Sequence, residues 1–274
     1  MTLIYRKELT ATYHGGFVSY KIPIVEAYGG EKPCILMALN LSKLYGKPAI
    51  LEDLWYIIRK LRNERITGKI TFTYLTRRFN YHILERVLNI SKYDVIIEVL
   101  FLGMSYPYII CFAHDGKCNF RIPKLYIDRS SKEFLKKVLM LASEDRNDVT
   151  YMVYVPSSAV KVNEKNSTEL NYEAVMNILK TYGLLRGSLE DLMFLDEKFK
   201  KVKILASRSK GGVVLLRSSV GQVVSKGTVV FEVRNIFGEL VDSVESTEEG
   251  VIVSCTEKMF VKPYDYVMSI AAVQ

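Results

Sequence analysis

Apolar side chains at Ile50, Leu54, Ile57, Ile58 and Leu61 recur at intervals of three and four. Pro48 stands just inside the start and Gly68 beyond the end, so this stretch predicts an amphipathic helix. GKITFTYL (68–75) follows as a strand, NYHILERVLN (80–89) as a helix and DVIIEVLFL (94–102) as a strand without polar alternation. A continuous apolar strand is covered on both faces, which points to an α/β sheet. YPYIICFA and CNFRIPKLYI flank His114-Asp115-Gly116-Lys117, a turn signal that predicts a hairpin. SSKEFLKKVLML reads as a helix, and VTYMVYV and SAVKVNE read as strands. Asn166 with Glu169 three residues later predicts a capping box, opening a helix that stops at Gly183.

Beyond about residue 185 the long helical period disappears. Short β-rich runs separated by glycine turns take over: KKVKILA, GGVVLLR, TVVFEV, ELVDSV, GVIVSC and YDYVMSI. GGVVLL and EGVIVS open two similar strand–turn–strand passages whose starts lie 38 residues apart. Two like halves folded against each other predict a small antiparallel barrel or sandwich. The expected division is an α/β domain over 1–185 and an all-β domain over 186–274, with the boundary in RGSLEDLMFLDEKFKK.

Composition narrows the class. Of 274 residues, 49% are hydrophobic and 25% charged, as in ordinary globular chains. No apolar run reaches the ~20 residues needed to cross a bilayer, and Glu98 interrupts VIIEVLFLGM. MTLIYRKELT carries charge where an export signal needs an apolar core, so a cytoplasmic protein with no membrane partner is expected. The net charge of +8 is uneven: residues 1–210 hold 33 Lys/Arg against 22 Asp/Glu, a net of +11, and the remainder is −3. Basic clusters fall at Arg59, Lys60, Arg62, Arg65 and Lys69, and at Lys198, Lys200, Lys201 and Lys203. Such clusters attract polyanions, but they are also ordinary solvated faces, and no nucleic-acid-binding signature accompanies them. Cys34 and Cys255 sit in apolar runs and read as small hydrophobes.

The β-rich end carries a resemblance. Its paired glycines, the G-x-x-V-x-x-G turn (Gly221, Val223 or Val224, Gly227), Phe237-Gly238-Glu239 and Glu249-Gly250-Val251 resemble the C-terminal domain of the succinylglutamate desuccinylase/aspartoacylase family. That domain is also similar to lipoyl and biotinyl carriers, which modify a lysine in the hairpin turn. The corresponding NIFGEL has none, so a carrier role is disfavoured. YKIPIVEAYGGEKPCILMA resembles the family's opening strands, and KYDVIIEVLFLG its aD-x-x-ID-L-H strand. The resemblance implies a carboxypeptidase-like α/β fold and a zinc-dependent deacylase site. It places the zinc-binding His and Glu at Ser42 and Tyr45, the third ligand at Leu100, and the general base at Asn163, with Glu164 next in the chain. TRRFN, with Arg77 and Arg78, is the remnant of the segment whose arginine grips the substrate carboxylate.

A hydrolytic zinc needs three ligands with His nitrogen or carboxylate oxygen donors and an open position for water. Serine is a poor ligand, tyrosine must ionise from a pKa of about 10, and leucine offers no donor. Without the metal a water keeps its pKa near 15.7 rather than about 7. The expectation is therefore a family member without zinc or other cofactor and without catalysis, binding a small acidic ligand or a protein. Ser42, Tyr45, Arg77, Arg78 and Leu100 are the candidate binding residues. Two alternatives stand beside it: an active N-acyl amino-acid hydrolase with displaced ligands, and an RNA- or ribosome-associated protein using the basic N-terminal part. His82-x-x-Glu85 has a zinc-pair spacing but falls in a helix, where an i, i+3 surface pair is the plainer reading. Cys111, His114 and Cys118 gather round the expected hairpin as a further ligand set or a plain turn, and His14 has no partner in sequence.

Overall fold

The computed structural model describes residues 2–13, 18–41, 50–76, 85, 87–102, 107–111, 122, 124–127, 131, 135, 139–141, 149–157, 166–190, 192, 199–208, 210–256 and 258–273. The first part of the chain runs β1 (Leu3–Tyr13), β2 (Val18–Tyr28), β3 (Cys34–Asn40), helix α1 (Ile50–Leu61), β4 (Lys69–Leu75) and β5 (Val95–Leu100). β6 (Tyr108–Cys111), β7 (Lys124–Ile127), β8 (Thr150–Val155) and helix α2 (Ser167–Thr181) follow. Among the described residues the elements that remain are strands: β9 (Phe199–Ala206), β10 (Gly212–Leu216), β11 (Val223–Val224), β12 (Val229–Arg234), β13 (Leu240–Glu245), β14 (Gly250–Cys255), β15 (Phe260–Val261) and β16 (Tyr266–Val273).

The result is a mixed α/β fold with one large mixed sheet and few helices. Twelve strands lie in the order β1-β2-β4-β3-β5-β8-β6-β7-β9-β16-β14-β11, and a second sheet runs β13-β12-β10-β15. At the centre β4, β3, β5 and β8 are all parallel. Their near-continuous burial matches the absence of alternation in the sequence: every residue of β5 is buried. Ile35, Met37 and Leu39 of β3 and Val95, Ile97 and Val99 of β5 pack with Ile57, Ile58 and Leu61 of α1 and Val175, Ile178 and Leu179 of α2. Leu36, Ala38 and Ile96 point to the opposite face, among Leu88, Ile90 and Tyr93. Each fully buried branched side chain contributes about 1.5–3 kcal/mol, so the covered faces fix this block.

The capping box forms as its spacing predicts. The Asn166 side chain accepts from the Glu169 N–H, and the Glu169 side chain accepts from the Asn166 N–H. At the other end Gly183 has φ 74°, and the Leu184 N–H donates to the Leu179 carbonyl at 2.9 Å, closing α2 with a left-handed cap.

The two passages 38 residues apart form reciprocal pairs. β10 pairs with β12 and β14 with β16, while each opening strand takes the other passage's short strand, β15 and β11 respectively. Gly212 and Gly250 hold matching places: a Cβ on either would lie 2.3 Å from a neighbouring strand's carbonyl oxygen, of Arg234 and of Ala271. No side chain fits there, which explains why glycine opens both passages.

One expected element is corrected. β6 and β7 do not form a hairpin: they pair in parallel, Ile109 opposite Lys124, and β6 takes β8 as its antiparallel neighbour. Parallel neighbours need a crossover of about a dozen residues, which the intervening chain length supplies. The His114–Lys117 string and Cys118 lie outside the described residues.

Candidate functional site

The parallel block creates the candidate site. The chain leaves β3 through α1 to β4 on one side, and leaves β5 toward β6 on the other. Divergent connections leave a crevice outside the carboxyl ends of the two strands, the usual ligand position in open α/β sheets. Asn40 and Leu100 are cross-strand partners at that end.

Just inside the crevice lies Glu98, fully buried in β5. Strand alternation directs it, with Ile96, away from α1 and α2. A carboxylate in such a place is costly unless surrounded by donors, and Glu98 has four. Asn40 Nδ2 donates to Oε1, and the Tyr151 hydroxyl donates to Oε2 at 2.8 Å. The backbone N–H of Met140 reaches both oxygens, at 2.9 and 3.1 Å, and that of Leu141 reaches Oε2 at 2.9 Å. Burial pushes the carboxyl above its ordinary range; the Leu141 and Met140 amides, then Tyr151 and Asn40, pull it back only in part. Chemically this is a clamp. It ties residues 140–141 to the strand ends and leaves a carboxylate already engaged on both oxygens.

A second polar network occupies the helix side of the same strands. Asn171 of α2 uses both ends of its amide: Oδ1 accepts from the Tyr154 hydroxyl (3.0 Å) and the Ser157 N–H (2.8 Å), while Nδ2 donates to Asp53 Oδ2 (2.8 Å) and the Ser157 carbonyl (2.9 Å). Thr168 Oγ1 donates to the other Asp53 oxygen. A cavity of about 20 Å³, bounded by Met37, Leu39, Asp53, Val99, Tyr154, Pro156 and Asn171, lies beside it. That is room for about one water. These contacts pin the first turn of α1 and the exit of β8 to α2, which shapes the crevice rather than filling it.

No protein-family model and no curated protein matches the sequence. Solved structures do match the fold. The product-bound ectoine utilization protein EutE (DoeB) from Ruegeria pomeroyi superposes with a TM-score of 0.66 at 13% identity, over 98% of this chain and 95% of that one. An aspartoacylase family protein from Mesorhizobium loti gives 0.65 at 16% identity, over 97% and 94%. A succinylglutamate desuccinylase from a Silicibacter species gives 0.63 at 13%, over 99% and 95%. The chain has the fold of the succinylglutamate desuccinylase/aspartoacylase family.

Of the residues that the family pattern singles out, Leu100 is described in full. It closes β5, has no exposed surface, and packs among Leu102, Tyr108, Ile110, Val153, Val202 and Tyr266. An alkyl group in an apolar cluster offers a metal such as zinc no donor atom. Ser42, Tyr45, Arg77, Arg78, Asn163 and Glu164 lie outside the described residues, as do His14, His82, His114 and Cys118. Glu85 belongs to a helical turn and Cys111 to β6. Among the described residues no three His, Cys, Asp or Glu side chains come together as a metal-holding group, and no helix is long and apolar enough to cross a membrane. Cys34 is half-buried, its Sγ donating to the Glu31 carbonyl and its pKa raised by that partial burial.

Sequence reasoning missed Glu98, Asn40 and Asn171. The signal for Glu98 was present: one charge inside an otherwise apolar strand, two residues before Leu100. A lone carboxylate in a doubly covered strand demands donors, and asking where they come from leads to this network.

Proposed function

We propose that this chain is a divergent, metal-free and non-hydrolytic member of the succinylglutamate desuccinylase/aspartoacylase family that works by binding at the crevice beyond β3 and β5. The observation that carries the reading is Leu100: the third-ligand position is an alkyl side chain sealed in an apolar cluster. The residue types at the other family positions agree. Ser42 and Tyr45 are weak zinc donors, and Asn163 cannot take a proton as a general base. Glu98, the buried carboxylate at the crevice, is held on both oxygens, so activating a water there would require breaking the clamp.

The ligand we favour is a small acidic molecule, drawn by the +11 balance of residues 1–210 and met by Arg77 or Arg78. Residues 186–274 we read as a barrel-sandwich unit of the lipoyl type without a carrier function, since the β12–β13 turn Asn235–Glu239 holds no lysine.

The test is metal analysis of protein purified without chelator, paired with assays on N-acyl amino acids with and without added zinc. The expected result is far less than one zinc per chain and no hydrolysis in either condition, with saturable binding of an acidic amino-acid derivative by calorimetry. About one zinc per chain, together with a deacylase activity lost in the Ser42→Ala/Tyr45→Phe variant, would overturn the proposal.

A further inference from the structure

Away from the crevice, on the solvent side of α1, Glu52, Trp55, Arg59 and Arg62 succeed one another at spacings of three, four and three. That spacing lines them along one stripe of the helix and its following turn. Arg6, from the edge strand β1, reaches across so that its guanidinium lies 5.3 Å from the centre of the Trp55 ring. These five residues line one open cleft of about 410 Å³. Trp55 is 45% exposed, although a tryptophan is on average highly buried. Arg59 Nε donates to the Trp55 carbonyl at 3.3 Å, which leaves its outer N–H groups directed elsewhere. Among the described residues none of the three guanidiniums pairs with a carboxylate.

We infer that this cleft binds a nucleoside phosphate. Three guanidiniums and one carboxylate leave the cleft with a surplus of positive charge, and the planar donor forks of arginine match phosphate oxygens. The half-exposed Trp55 ring, with the Arg6 guanidinium beside it, provides a flat surface on which a base stacks. Glu52 separates this reading from a simple polyanion trap. A carboxylate in the cleft opposes added negative charge, yet it accepts hydrogen bonds from a sugar diol. The volume suits one nucleotide. The same chemistry arrives as a free nucleotide or as an unpaired nucleotide of a single-stranded chain. The inference is independent of the crevice and of whether zinc binds there.

Trp55 is the only tryptophan in the sequence, so its emission reports the cleft alone. The full chain is titrated at low salt with AMP, adenosine, tripolyphosphate and an eight-nucleotide oligoadenylate. Saturable quenching by AMP is expected, at least tenfold tighter than by adenosine or tripolyphosphate. Arg59→Ala/Arg62→Ala should weaken AMP at least tenfold, Arg59→Lys/Arg62→Lys less, and Glu52→Gln should weaken AMP while strengthening tripolyphosphate. Oligoadenylate binding far tighter than AMP would assign the site to single-stranded nucleic acid, and equal binding would assign it to the free nucleotide; either supports the inference. No saturable change with AMP or oligoadenylate up to millimolar concentration would overturn it. So would tripolyphosphate binding as well as AMP, or full AMP affinity in the arginine-to-alanine variant.

Discussion

Replacing Glu98 by alanine tests the clamp at the mouth of the crevice. The substitution removes the acceptor for two backbone N–H groups, of Met140 and Leu141, of which Leu141 is buried. Neither amide can turn toward another partner, because both belong to the main chain. A buried donor left unpaired costs about 1–3 kcal/mol, and the half-buried Met140 amide costs less, so the two together cost about 2–4 kcal/mol. The Asn40 amide and Tyr151 hydroxyl lose the same acceptor but can rotate, and they add little. Relief of the buried charge works in the other direction and keeps the total from exceeding this range. Glu98→Gln retains one oxygen within reach of both amides, and Asn40 can flip its amide to face the new NH₂ group, so its cost should be about 1–2 kcal/mol. Urea unfolding followed by far-ultraviolet circular dichroism, analysed with a common slope, measures both. Hydrogen exchange adds a local readout: the amides of residues 140 and 141 should be protected in the parent chain and exposed in Glu98→Ala. An alanine variant within about 1 kcal/mol of the parent would refute the clamp. Equal losses for alanine and glutamine would show that charge, and not the number of acceptors, holds the segment.

The same carboxyl sets a pH dependence. Its folded-state pKa is raised by burial, so the folded chain holds the proton more tightly than the unfolded one. Stability of the parent relative to Glu98→Gln should therefore fall as pH rises above about 4.5, the model-peptide range, and level off once the folded carboxyl has ionised. A relative stability that rises over that interval in urea titrations would contradict the assignment. In the reciprocal strand pairs, Gly250→Ala places a methyl 2.3 Å from the Ala271 carbonyl oxygen. The backbone must move, and a loss of about 2–4 kcal/mol in the same unfolding assay is expected. Gly221→Ala, where nothing lies within 4 Å, should cost less, through its positive φ alone; equal effects would refute the close-approach argument.

Much of the fold was legible because period and punctuation carry it. The apolar positions of α1, the unbroken strand around residue 97, the Asn166–Glu169 capping box and the Gly183 stop each depend on interactions within a few residues. The repeated glycines of the β-rich end were visible as a 38-residue echo, and the packing shows why each is needed: a neighbouring carbonyl stands where its Cβ would be. β1 was not read as a long strand. Its eleven residues mix charge and apolar side chains, and what holds it is pairing with β2 at the sheet edge, which no local pattern records.

The sequence by itself determined which groups are on hand at the site: a leucine at the end of β5 and a single glutamate inside an otherwise apolar strand. Periodicity also assigned that strand to a doubly covered sheet. Only the tertiary structure decided what those groups do. It set β6 and β7 parallel where a turn-like string suggested a hairpin, brought residues 140–141 and Tyr151 onto Glu98, and carried Arg6 from one edge of the sheet to Trp55 on α1. The physical reason is range. Helix periods, caps and turns are settled between neighbours in the chain, whereas strand order and the partners of a buried charge depend on residues far apart whose meeting the fold alone arranges.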